Sequence, residues 1–280
     1  MPIENIPEIY INDENSKPDL FVYDFKMASD VVRSKVNLGM NMFSFLQVGK
    51  KQVHFAGTSV AVNKDQSLIL KKGNWLWTEL LDTDATYYCK LLFFSENILK
   101  KFIEKHIKNK YKIDDEVPCF TIGNDAYIAS YINSLTTIGE APKEFMKSLL
   151  SIKFEELMLY LVHKYGKSFE RYLQSLIIDS TTPLKRMVES KVHSNLKLEE
   201  IAFLCNMSLS TFKRKFLSEF KVSPGKWLKD QRLLKAKETL AQGTLKPSDI
   251  YLDFGYNNLS NFSIAFKNKF GVSPSEVPTS

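Results

Sequence analysis

From Leu20 to Phe94, apolar and polar residues alternate in short runs; beyond that point apolar residues recur every three or four positions to the end of the chain. The first regime predicts strands. They fall at Phe21–Phe25, Met42–Val48, Gln52–Ala56, Ser59–Val62, Ser67–Leu70 and Trp75–Glu79, with a hairpin loop at Gly49. A last run, Thr86–Phe94, is apolar on both faces except at Lys90. Six or seven short strands at this spacing predict a small antiparallel β-barrel or sandwich with flanking helices. Residues 1–20 are polar, carry Pro2, Pro7 and Pro18, and read as a flexible arm.

The second regime predicts helices. Ser95 can cap a helix whose apolar side is Ile98, Phe102 and Ile107. A loop with Pro118 runs from Tyr111 to Gly123, and Asp125–Thr137 and Pro142–Lys164 read as an antiparallel pair. On the second of these, Phe145, Leu149, Ile152 and Leu159 share one face, broken only by Glu156. That face can serve as a homodimer seam, packing against the strands being the plainer account. After a short helix at Phe169–Ile178, the polar stretch Asp179–Pro183 reads as a linker. It separates a strand-then-helix domain over 21–178 from an all-α domain over 184–280.

The all-α domain contains a repeat. Phe216, Phe220, Val222, Ser223 and Pro224 match Phe266, Phe270, Val272, Ser273 and Pro274 at a constant offset of 50. Helices are expected at Leu184–His193, Leu198–Leu204 and Ser208–Phe220, then from Pro224 to a stop at Gly243, then at Pro247–Phe254 and Leu259–Phe270. Asn206 and Gly255 sit at the two tight turns, where a left-handed residue is usual. Two helix-turn-helix units joined by one long helix are a means of placing two helices in the DNA major groove.

Charge strengthens this picture. From Pro183 onward the chain holds 16 Lys+Arg against 9 Asp+Glu, so the whole positive excess behind the net +6 lies in the domain with the repeat. A basic face of that kind suits phosphate. Three scattered cysteines, Cys89, Cys119 and Cys205, exclude a disulfide framework or zinc finger and read as reduced thiols. The first residues lack a signal-peptide pattern and no window approaches a membrane span, so a cytoplasmic protein without a membrane partner is expected. His54 is the one histidine among the strands, too few for a metal-dependent barrel enzyme. No metal or other cofactor is expected.

The last 95 or so residues resemble the arabinose-regulator (AraC/XylS) family of bacterial transcription regulators. The likeness rests on both helix-turn-helix units, on Arg232-Leu-x-x-Ala236-x-x-x-Leu240 between them, and on the closing Phe266-x-x-x-Phe-Gly-Val-Ser-Pro274. The second turn is the longer one in that family, and here Ile201 to Phe212 spans 11 positions where Ile250 to Phe262 spans 12. Departures are Tyr251, where alanine is usual, and Lys197 and Lys246, where Ser or Thr caps are common. A lysine cannot accept the orphan N–H groups of a helix start, a loss of roughly 1 kcal/mol each.

The resemblance implies a sequence-specific transcription regulator, an activator rather than an enzyme, with double-stranded DNA and RNA polymerase as partners. It implies a cupin-like first domain that takes a small-molecule or protein effector. Its base-contacting positions fall on Ser210, Thr211, Lys213 and Arg214 in the first unit. In the second the exposed face offers Asn257, Asn258, Ser260, Asn261 and Ser263, with Lys267 and Lys269 toward the backbone, while Ile264 stands where the family usually has a long polar or basic reader. Arg214 and Lys213 can pair guanine, whereas the second set lacks a residue for that fork, so the first unit is expected to specify and the second to position. In the first domain Phe43, Phe45, Phe55, Trp75, Trp77 and Tyr88 are candidate lining for an effector pocket, ordinary core being the competing account. Two other readings compete: a regulator switched by a protein partner alone, and a DNA-binding domain fused to an enzyme such as an alkyl-transfer repair protein. The last needs an activated cysteine, and neither Cys89 in its apolar strand nor Cys119 looks poised.

Overall fold

The computed structural model describes residues 2–11, 18–55, 58–113, 117–138, 143–177, 184, 188 and 196–278. The expected linker 179–183 lies outside them, and of the expected helix 184–193 only Leu184 and Val188 are described, both helical and buried. The chain divides into two compact units, residues 1–54 with 59–181, and a second whose bulk is 182–280.

Among the described residues the first unit holds ten strands: β1 (Ile3–Ile6), β2 (Leu20–Met27), β3 (Val31–Leu38), β4 (Asn41–Val48), β5 (Lys50–Phe55), β6 (Thr58–Val62), β7 (Gln66–Leu70), β8 (Gly73–Leu80), β9 (Tyr87–Phe94) and β10 (Cys119–Gly123). They form two five-stranded sheets, ordered β1-β3-β8-β5-β6 and β10-β7-β4-β9-β2. The unit is therefore the sandwich of the two expected forms and not a closed barrel; its one departure from the expected antiparallel pattern among the described strands is β1, which joins β3 in parallel. The arm is corrected too: Ile6 is buried in β1, and Tyr10 stacks on Tyr23 at 3.9 Å.

The described helices of this unit are α1 (Glu96–His106), α2 (Ala126–Ile138), α3 (Lys143–Tyr165) and α4 (Lys167–Leu176). Ser95 caps α1, its hydroxyl accepting from Ile98 N–H. These helices cover one face of the second sheet. Phe43, Phe45, Ile69, Leu92 and Phe94 meet Leu99, Phe102, Tyr131, Phe154, Leu157, Leu161 and Phe169 in one cluster. Alternate residues of the same strands, such as Ser44 and Cys89, turn to the other face. There Tyr87 of β9 donates its hydroxyl to Glu79 of β8 at 2.8 Å, linking the sheets. Of the α3 face expected to pack, Leu149 alone lies half-buried against the core; Phe145, Ile152 and Leu159 are exposed, while Leu150, Phe154, Leu157, Met158 and Leu161 are buried.

The second unit is helical, with α5 (Leu198–Leu204), α6 (Leu209–Phe220), α7 (Pro224–Ala241), α8 (Pro247–Ile250) and α9 (Leu259–Phe270). Asn206 and Gly255 take the left-handed conformation at the two turns, with φ of 56° and 80°. The two copies differ where Tyr251 replaces the small residue that Ala202 supplies in the first. Ala202 is buried in a regular seven-residue α5, whereas α8 gives way to turns after Ile250 and Tyr251 stays half-buried.

Candidate nucleic-acid interface

Each second helix of the repeat is fixed in rotation by an aromatic row. On α6, Phe212 and Phe216 are fully buried, Phe216 stacks on Phe220 at 4.1 Å, and Trp227 of α7 meets both edge-on. On α9, Phe262 and Phe266 are fully buried and Tyr256 meets Phe262 edge-on at 5.3 Å. Period-3.6 geometry then leaves the opposite stripe in water.

On α6 that stripe presents Ser210, Lys213 and Arg214, all exposed. Lys213, Arg214 and the neighbouring Lys215 have no carboxylate partner among the described residues, so their charge stays available. Thr211 differs: it is half-buried, and Ser208, the helix cap, reaches its hydroxyl at 3.0 Å. On α9 the exposed set is Ser260, Asn261, Ile264 and Lys267, with Ser263 half-buried and Asn257 in the turn before the helix. Asn258 is the cap of α9, its carboxamide oxygen accepting from Asn261 N–H at 2.7 Å. Lys269 does not face outward as expected; it pairs with Asp230 of α7 at 2.9 Å and bonds that residue's carbonyl. Its partial burial against α7 is the physical reason.

The lysine caps are rescued by the acids three residues on. Glu200 accepts the backbone N–H of Lys197 at 2.7 Å and Asp249 that of Lys246 at 2.9 Å. This is half of a capping box, and the lysine side chains remain exposed. The Lys246 N–H, then Ser248, hold the Asp249 carboxyl below its usual range.

The five aromatic candidates of the first unit whose side chains are described do not gather round one space. Phe43 and Phe45 stack on each other in the helix-facing core, Trp75 and Trp77 lie on β8 of the other sheet, and Tyr88 bonds Asp24. The side chain of Phe55 lies outside the described residues. A cavity of about 330 Å³ does open in this unit, but its lining includes Lys50, Lys51, Gln52, Asn63, Gln66 and Thr78. Beside it, Lys51 and Glu79 form a buried ion pair at 2.7 Å, with the ammonium 3.9 Å over the Trp77 ring. Neither thiol here resembles an activated acceptor. Burial raises Cys89 despite Lys51 nearby, and burial pushes Cys119 up to about 12. Among the described residues, no cluster of His, Cys, Asp and Glu could hold a metal ion, and no helix is long and apolar enough to cross a membrane.

Comparison with known proteins finds two family models. One, described as the ExsA N-terminal regulatory domain, matches residues 41–172; the other, a helix-turn-helix domain, matches residues 201–279. The chain is 29% identical over 151 residues to the virulence regulon transcriptional activator VirF of Yersinia enterocolitica, covering 54% of this chain and 55% of VirF. It is 30% identical over 128 residues to the HTH-type transcriptional regulator ExsA of Pseudomonas aeruginosa, covering 45% of this chain and 46% of ExsA. The match thus spans about half the length of these curated relatives. Among solved structures, an apo ToxT variant from Vibrio cholerae aligns over 93% of this chain and 97% of its own, at 15% identity and a TM-score of 0.44. That likeness is too distant to carry function.

Proposed function

The chain belongs to the arabinose-regulator (AraC/XylS) family, and on that premise we propose that it is a DNA-binding transcription activator read out by two helices of unequal power. The supporting observation is the pair of outward stripes on α6 and α9, held by the same aromatic frame but differing in chemistry. Arg214 and Lys213 can fork onto guanine O6 and N7, a contact that discriminates by roughly 1–3 kcal/mol. The α9 stripe carries amides, hydroxyls and Lys267, suited to docking and to weaker readout. Two such helices on one connecting helix would enter successive major grooves about 34 Å apart, on a site of roughly 20 base pairs. Activation would follow from placing the protein, and with it RNA polymerase, at that site.

The first unit is the regulatory part in this reading, in line with the family description that covers 41–172. A small-molecule effector there would meet the polar cavity by Lys51 and Gln52 rather than an aromatic pocket. The exposed Phe145, Ile152 and Leu159 recur every seven residues on α3, the spacing of a helix–helix seam, and support a homodimer.

The test is selection of bound duplexes from a random pool by the full chain. The reading expects an enriched site with two half-sites about one helical turn apart and a guanine under α6 that Arg214→Ala no longer prefers. An unenriched pool, or a preference indifferent to Arg214, would overturn it.

A further inference from the structure

At the offset of 50 that relates the two frames, Ile264 occupies the place of Arg214. It is 59% exposed, on a helix whose core is already filled by Phe262, Ala265 and Phe266. A β-branched side chain at mid-helix is rigid, so it presents a fixed apolar surface to whatever lies opposite. One turn earlier on the same stripe stands Asn261. Only its backbone N–H is engaged in the cap, and its carboxamide is exposed without a recorded partner among the described residues.

An A·T pair offers in the major groove what these two side chains can take. Adenine shows an N7 acceptor beside an N6 donor, which an asparagine amide matches with two bonds, and thymine shows a C5-methyl group for apolar contact. Resting on the DNA-binding reading above, we propose that α9 selects A·T pairs, with Asn261 on adenine and Ile264 against the methyl of a thymine. The second unit is then more than a phosphate anchor. It adds a modest preference of its own, blind to guanine.

The test uses the full chain and a duplex selected from a random pool. Each thymine under α9 is replaced in turn by deoxyuridine, which deletes the methyl and keeps the pairing, and affinity is measured by fluorescence anisotropy. One replacement should weaken wild-type binding roughly fourfold, the worth of one buried methyl group. The same replacement should have no effect on Ile264→Ala, and thymines under α6 serve as controls. In a parallel arm, 7-deazaadenine in place of the contacted adenine should weaken wild type but not Asn261→Ala. If no duplex is selected, the DNA-binding reading itself fails. If duplexes bind but deoxyuridine is silent, or costs Ile264→Ala as much as wild type, the thymine contact is wrong and Ile264 is exposed for another partner, such as a protein.

Discussion

Lys221 follows α6 with φ of 57°, where the second copy places Gly271 with φ of 78°. A left-handed lysine pays roughly 1–2 kcal/mol that glycine does not. Lys221→Gly should therefore stabilise the protein by about 0.5–1 kcal/mol in urea unfolding. Gly271→Ala should destabilise it by about as much; no atom crowds a Cβ there, so the effect is backbone strain alone. Equal midpoints for wild type and Lys221→Gly would count against this account. At this scale the sequence was partly legible. Asn206 and Gly255 announce their left-handed turns, but the rescue of Lys197 and Lys246 by Glu200 and Asp249 depends on a reach that composition alone does not show.

Among the elements, strands with a continuous or alternating apolar run were readable, and those without one were not. β3 mixes Arg33, Lys35 and Asn37 with its apolar residues and slips register between Val31 and Ser34, where Arg33 turns to φ of 55°. β1 has only Ile6 to bury, and β10 is five residues after a proline. α3 misled differently: it is apolar on two sides, and periodicity cannot say which side meets the sheet. Lys51 and Glu79 are directly paired on neighbouring strands of one sheet, both buried, and Glu79 also takes the Tyr87 hydroxyl of the other sheet. Glu79→Gln should destabilise the first unit by roughly 3–5 kcal/mol, whereas Lys51→Met with Glu79→Leu should recover most of that loss. A double variant no better than the single would show that the pair is not the cause. At the α2 start, burial alone would raise Asp125, but Lys164 at 2.6 Å, Tyr160 and the Ile128 N–H hold its carboxyl well below the usual range. Its folded value being depressed, its contribution is complete above about pH 4, the unfolded value, and fades as pH falls toward the folded one. The gap in urea midpoint between wild type and Asp125→Asn should accordingly narrow below about pH 4. A gap that is constant down to about pH 2.5 would refute the assignment.

Over the whole molecule, the charge division and the repeated frame were visible in the sequence, while the effector question was not, because six aromatics in strands fit a core as well as a pocket. The exposed stripe on α3 leads to a prediction at this scale. Sedimentation should find a dimer at micromolar concentration, and Ile152→Glu should shift it to monomer with little change in Tm, since Ile152 is 64% exposed. A wild-type monomer would remove α3 as a seam. The central claim is the inequality of two helices built on one frame. Its most direct measurement is the affinity of the full chain for a selected duplex in which base pairs are swapped one at a time under α6 and under α9. The account predicts losses of roughly 10- to 100-fold at a guanine under α6 that vanish in Arg214→Ala, and losses of only a few-fold under α9. Equal losses under both helices would contradict it.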